Sequence, residues 1–448
     1  MREIYSILLL GLQSSLSVRA ASKTWAVLPV RQPPAINDTA RFLPNTDGSL
    51  GTPPQNITML IDIGAQPLFT LTPDCLFCPS EGMYDPSYSS SAKVATSQVS
   101  FGDLSLGGAR GNETVTLGGI FQDIDSPLVF INQMSTDFVP RFSGGHLGTF
   151  VPKNATRRAQ SIFARLDDQG QLLNPVWGLR LGGDNPQLTI GALDPNDYEG
   201  EINWVPAVGD GPVIQADAWK GYQGNIIPGN YPINVTIDTL SKNIYLPELD
   251  VFMMNDSFTG PQDTINIYPP NNKTFGILCN GTKFPTIDFS VEINGIDYPV
   301  TQKDIVRTNS LAMSAPGVCN VGIMESSSGS YVLGVTFLRS VYLAYRFPTA
   351  SCPAYWGFAT PKGVSLPTSS KNQKPKATPT DAATCLSFTT PASTPTPTIQ
   401  SGSGGSVPGS SGEKYVIYGQ PTMSQVELRG VADLPPLKAA GAIFGLGD

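Results

Sequence analysis

Two short stretches decide how this chain reads: Ile57-Thr-Met-Leu-Ile-Asp62-Ile63-Gly64-Ala65 and Ile233-Asn-Val-Thr-Ile-Asp238-Thr239-Leu240-Ser241. Each is an apolar, β-branched run that delivers an aspartate into a tight turn. The two aspartates lie 176 positions apart, a plausible lobe length. An aspartate at a strand end is ordinarily a turn former, because its carboxylate hydrogen-bonds nearby backbone. Either stretch alone carries no more than that. Their matched settings make Asp62 and Asp238 a candidate catalytic pair.

The chemistry open to such a pair needs two carboxylates and nothing else. One, ionised, takes a proton from water. The other, protonated, donates to a carbonyl oxygen. Two carboxylates in close contact cannot both ionise easily, so their titrations split and they share a proton. No metal, nucleotide or histidine is required, and the expectation is no cofactor and no metal.

The composition agrees. The chain has 448 residues, enough for two lobes each burying its own core. Apolar residues make up 40% and charged residues only 14%, while 45 glycines and 40 prolines favour many turns. The formal charge of −8 gives no electrostatic reason to bind nucleic acid or anionic lipid. It suits an acidic medium, where that charge falls. The one histidine, His146, excludes a multi-histidine metal site, and any Ser-His-Asp triad would have to use it. Set in G-G-H-L-G-T-F, it reads as a structural residue of a glycine-bordered strand or loop.

The N-terminus has the order of a secretory signal peptide: Arg2, an apolar run Ile4 to Leu12, then Val18-Arg19-Ala20-Ala21. Cleavage is expected after Ala20. The run is too short to span a bilayer, and no membrane span is expected elsewhere. Secretion makes disulfides the default for Cys75, Cys78, Cys279, Cys319, Cys352 and Cys385. Cys75-x-x-Cys78 could be half of a zinc site or a redox motif. With no second such motif and no histidine ligands, a small disulfide loop is favoured. A Cys352–Cys385 bridge would tie the tail to the body. Sequons at Asn37, Asn56, Asn112, Asn154, Asn234, Asn255, Asn272 and Asn280 fit surface glycosylation.

From Gly51 to about Ala359, short runs of Val, Ile, Leu, Phe and Thr alternate with turn residues, as at Ile57 to Ile63, Thr114 to Leu117, Gln187 to Ile190, Ile287 to Ile293 and Ser340 to Tyr345. The expected class is therefore all-β, with Thr156 to Leu166 as the best helix candidate. The expected division is a signal peptide at 1–20, a short pro-segment or N-terminal arm at 21–48, an N-terminal β lobe at 49–205 and a C-terminal β lobe at 206–361. Residues 362–448, rich in Ser, Thr, Pro and Gly, are expected to lack fixed structure.

The body, from about residue 49 to 361, resembles the pepsin-like aspartic peptidases (family A1), as a divergent, fungal-type secreted member. G-T-P-P-Q-N-I-T-M-L-I-D-I-G is similar to that family's strand into its first Asp-Thr-Gly, and V-T-I-D-T-L-S-K-N-I-Y-L-P to the second. Gly191 to Pro206 resembles the strand near the lobe junction, Tyr331 to Tyr345 the C-terminal core hairpin, and Trp356 to Ala359 the closing strand. The resemblance implies a bilobal acid-protease fold with a central cleft, Asp62 and Asp238 on its floor and a β-hairpin flap over it. It places Phe101 to Ser105 at the flap tip, with Phe101 and Asp103 there and Gly64 and Ser241 in the active-site turns. It also implies a Cys279–Cys319 disulfide.

The departures from that family pattern bear on activity. Ile63 stands for a threonine whose hydroxyl helps lock the two turns. Ala65 stands for a serine that hydrogen-bonds the first carboxylate. Leu240 stands for a glycine, where a side chain would crowd the pair or force the backbone. Phe101 lacks the flap tyrosine's hydroxyl, Phe69 stands for its tryptophan partner, and Val335 for an aspartate. Three functions follow. The first is a secreted aspartic endopeptidase, monomeric, acting on a peptide or protein. The second is a pseudoprotease that binds peptides or a partner. The third is a cell-wall or matrix glycoprotein whose Ser/Thr/Pro-rich tail is the working part.

Overall fold

The computed structural model describes residues 23–31, 43–76, 78, 82–101, 106–134, 144–247, 258, 265–267, 275–278, 286–307, 318–326, 328–365 and 373–391. Strands dominate, as the all-β expectation requires.

The first half of the chain builds a seven-stranded sheet. Its order is Asn45–Leu50, Gln55–Asp62, Gly145–Gly148, Leu68–Leu76, Phe121–Met134, Leu106–Leu117 and Lys93–Phe101. Strand Gln55–Asp62 is buried continuously from Met59 to Asp62, because it is flanked by neighbours on both edges and packed on both faces. The second half repeats the plan in a five-stranded sheet: Val213–Ala216, Ile233–Ile237, Val332–Leu333, Ile244–Leu246 and Ile323–Glu325.

The repeat is local as well as global. Gln55–Asp62 pairs in parallel with Gly145–Gly148, and Ile233–Ile237 pairs in parallel with Val332–Leu333. Each returning strand then reaches a glycine that passes close under the aspartate-bearing turn. A Cβ on Gly148 would lie 2.6 Å from the Pro67 carbonyl oxygen and 2.8 Å from that of Ala65. One on Gly334 would lie 2.3 Å from the carbonyl oxygens of both Ser241 and Asn243. Only glycine fits either approach.

A six-stranded sheet joins strands from both halves in the order Ala26–Pro29, Gln187–Ile190, Val176–Arg180, Tyr342–Arg346, Tyr355–Pro361 and Tyr198–Pro206. Its buried aromatics interlock: Tyr345 and Trp356 rings lie 4.4 Å apart, and Trp177 meets Trp356 edge-on at 5.8 Å. The Tyr345 hydroxyl, otherwise buried, donates to the Val151 carbonyl at 2.8 Å.

Four local expectations change. The helical stretch near Thr156 is two helices, Ala155–Arg158 and Ile162–Asp168. Ser161 interrupts it by capping the second, its hydroxyl accepting from Ala164 N. Tyr331 to Tyr345 is not a hairpin. Gly334 starts a short helix, Val335–Leu338, which sends the flanking strands into different sheets. The expected N-terminal arm also contributes to the sheets: Ala26–Pro29 lies in the six-stranded sheet, and Asn45–Leu50, which crosses the expected boundary at residue 49, pairs with Gln55–Leu60.

Finally, residues 373–391 of the expected unstructured tail run as a strap across the body. The Gln373 side chain bonds Asp297, and Lys376 N donates to the Asn294 carbonyl. Cys385 is bonded to Cys352, and Thr389 exchanges two hydrogen bonds with Asn174. Among the described residues, no helix is long and apolar enough to cross a membrane.

Candidate active site

Strand Gln55–Asp62 ends by presenting Asp62, which is fully buried. The chain then turns at Ile63-Gly64-Ala65. The amides of Gly64 and Ala65 point back and donate to Asp62 Oδ1 at 2.9 and 3.1 Å. The turn thus orients the carboxylate with its own backbone. Thr149 N donates to the Asp62 carbonyl at 2.9 Å and ties the turn to the returning strand.

The second turn is built alike. Asp238 follows strand Ile233–Ile237 and is half-buried. Leu240 N donates to its Oδ1 at 2.8 Å, as Gly64 N does to Asp62. The Ser241 hydroxyl donates to Oδ2 at 2.6 Å.

The two turns are fastened to each other through Thr239. Its hydroxyl donates to the Ile61 carbonyl at 2.6 Å and accepts from Ile63 N at 3.2 Å. The contact is buried, and it joins residues adjacent to the two aspartates. Ile63 has no hydroxyl, so the reciprocal pair of bonds cannot form. One half of the lock is therefore present.

Leu240 does not behave as expected. Among the described residues, the non-glycines with positive φ are Gln223 and Asn294. The Leu240 backbone is not forced, and its half-buried side chain packs against the main hydrophobic core. Its amide still serves Asp238.

Phe101 ends strand Lys93–Phe101 and pairs with Leu106 of Leu106–Leu117, so the two strands form an antiparallel hairpin. Asp103 lies outside the described residues. Cys75 is bonded to Cys78, which leaves no thiolate there for zinc, and Cys352 is bonded to Cys385. Cys319 is disulfide-bonded; Cys279 lies outside the described residues. Asn56, Asn154 and Asn234 are exposed. Asn112 is half-buried, and its amide donates to the Asp125 carbonyl at 3.2 Å. Asn37, Asn255, Asn272 and Asn280 lie outside the described residues.

Two residues at the site were not singled out as site residues from the sequence. Thr239 could have been, since a hydroxyl directly follows the second aspartate. His146, read as structural, is buried with its Nδ1 3.7 Å from Asp62 Oδ2. That proximity comes from strand pairing, which the sequence does not display.

Comparison with known proteins matches this architecture. The model of the family described as eukaryotic aspartyl protease matches residues 46–352. Human gastricsin is 26% identical over 336 residues, covering 70% of this chain and 80% of the human protein. Sheep (Ovis aries) chymosin is 26% identical over 311 residues, covering 66% of this chain and 76% of its own. Bovine (Bos taurus) pregnancy-associated glycoprotein 2 is 25% identical over 315 residues, covering 66% and 77%. With its paired aspartate turns and a family match across most of its length, the chain belongs to the pepsin-like eukaryotic aspartyl protease family.

Proposed function

We propose that the protein is a secreted aspartic endopeptidase in which Asp62 and Asp238 share one proton and activate water against a peptide bond. The ionised carboxylate takes a proton from water as the oxygen attacks the scissile carbonyl. The protonated partner donates to the carbonyl oxygen, giving a neutral tetrahedral diol. Transfer of a proton to the amide nitrogen then releases the amine. The observation that carries this reading is the Thr239 bridge, which fastens the two aspartate turns together. An extended peptide in the cleft under the hairpin is the substrate this geometry suits.

The signal-like N-terminus supports export. Exposed Asn56, Asn154 and Asn234 support glycan attachment at those sites. Trp25, Ala26, Leu28 and Val30 are buried and the strand Ala26–Pro29 is paired. That integration favours a permanent N-terminal arm over a removable pro-segment for residues 24–31.

A second reading is a peptide- or partner-binding glycoprotein without turnover. Ile63, which halves the turn lock, and Ala65, which offers Asp62 no hydroxyl, favour it. A pepstatin-sensitive cleavage assay at acidic pH separates the two. Cleavage that disappears in Asp62→Asn and in Asp238→Asn supports the protease. Peptide binding without cleavage by folded wild type supports the binder.

A further inference from the structure

The two carboxylates are supported from different sides. Asp238 Oδ2 accepts from the Ser241 hydroxyl, three residues further along the same turn. The matching position after Asp62 is Ala65, whose methyl donates nothing. The first carboxylate nevertheless has a polar side chain beside its second oxygen, and it comes from the neighbouring strand.

Strand register explains how. Leu60 pairs with His146 and Asp62 with Gly148. Residues two apart on a strand share a face, so His146 is the diagonal neighbour of Asp62 on that face. Such neighbours are within reach of long side chains. On the other side of the strand Phe69 pairs with His146, and its ring meets the imidazole edge-on at 6.2 Å. Phe69 thereby limits the imidazole's freedom to turn away. The repeat in the second half supplies the comparison. There Thr236, two before Asp238, pairs with Val332, a buried apolar residue packed with Tyr245 and Met324. In one half the turn carries the hydroxyl and the strand is apolar; in the other the turn carries a methyl and the strand an imidazole.

We propose that His146 is a positioning residue for Asp62, presenting an Nδ1–H donor to Oδ2 in place of the hydroxyl that Ala65 lacks. The 3.7 Å separation closes to hydrogen-bond length, about 2.9 Å, with a small swing of the ring. Donors at catalytic groups commonly sit long until substrate arrives. Of the ionisable side chains on the two flanking strands, Asp62 faces the imidazole, while Asp74 is exposed further along Leu68–Leu76. His146 acts through Asp62 and does not itself take or give a proton in the reaction. Its part in turnover rests on the proteolytic reading; the contact itself does not.

Two measurements test it. In the first, His146→Leu lowers kcat about 10- to 100-fold with KM little changed, the rate equivalent of losing one hydrogen bond to a charged group. His146→Asn, which puts an amide nitrogen near the Nδ1 position, keeps most of the rate. Ala65→Ser restores the rate of His146→Leu but adds little to wild type. Equal rates in His146→Leu and an active wild type, or the same Ala65→Ser effect in both backgrounds, overturn the proposal.

In the second, the single imidazole of the intact chain is read by nitrogen-15 NMR at a pH where the ring is neutral. Protonation at Nδ1 in wild type, lost in Asp62→Ala, supports the contact. An Nε2–H ring in wild type overturns it, whatever the activity. An inert wild type with Nδ1–H would refute the protease reading and leave the contact standing.

Discussion

Thr239 uses one hydroxyl in two directions, donating to the Ile61 carbonyl and accepting from Ile63 N. Thr239→Val keeps the volume and removes both bonds, leaving a buried carbonyl and a buried amide unpaired. Each such orphan costs about 1–3 kcal/mol. We expect Thr239→Val to lower the unfolding free energy by about 2–4 kcal/mol in urea titration, and to depress kcat more than it raises KM. Thr239→Ser should recover most of both. Equal stability of Thr239→Val and wild type would mean that the two turns are held by something else. The two aspartate-bearing turns were legible in the sequence because each repeats the same local pattern. Thr239 and His146 were not, because their partners lie 178 and 84 positions away and meet them only through the fold.

Among the elements, the helix Ile162–Asp168 is fixed to the N-terminal sheet by Arg165. Its Nη2 donates to Asp123 Oδ1 at 2.9 Å, with Asp123 fully buried. Burial pushes the Asp123 carboxyl up, but hydrogen bonds from Arg165 and Gln169 and the guanidinium charge hold it below the usual value. A depressed carboxylate contributes stability above its unfolded range and loses it as pH falls through the folded value. Arg165→Met should therefore cost about 3 kcal/mol near neutrality and less in strong acid, where Asp123 is protonated in both states. Denaturant titration at the two pH values checks this, and an equal penalty at both would contradict it. Asp167 and Asp197 work in the other direction. Burial holds both carboxyls above the usual value, so they favour the folded chain as pH falls through that raised range.

At the same scale the sequence's limits are physical. Strands such as Gln187–Ile190 were legible because β-branched runs between turn residues mark them locally. The Tyr331–Tyr345 hairpin was misread because Gly334 must pass beneath the Ser241 carbonyl, a constraint set by a residue far back in the chain. Leu240 was expected to strain its turn because glycine usually stands there. Its side chain finds core to pack against instead.

Over the whole molecule, composition alone assigned residues 373–391 to a structureless tail. The cysteines pointed to the Cys352–Cys385 tie, but composition gives no sign of Asn294 and Asn174, the other partners that hold this strap to the body. The Cys352–Cys385 bond closes a span of 33 residues. Replacing both cysteines by serine should lower stability by about 3–4 kcal/mol through restored freedom of the unfolded chain. No change in the denaturation midpoint would show that the strap holds without the bond. Glycan occupancy is a second test at this scale. Mass-spectrometric mapping of secreted protein should find carbohydrate on Asn56, Asn154 and Asn234. It should find Asn112 bare, since its amide is already engaged with the Asp125 carbonyl.

Proteolysis by this chain would require Asp62 and Asp238 to act together. The most direct test is cleavage of a denatured protein substrate by purified full-length chain across acidic to neutral pH, with and without pepstatin. A shared-proton mechanism needs one charged and one neutral carboxylate at the same time. The predicted result is pepstatin-blocked cleavage that is greatest in acid and absent from Asp62→Asn and from Asp238→Asn. Folded wild type that cleaves nothing at any pH, or cleavage that survives either substitution, would contradict it.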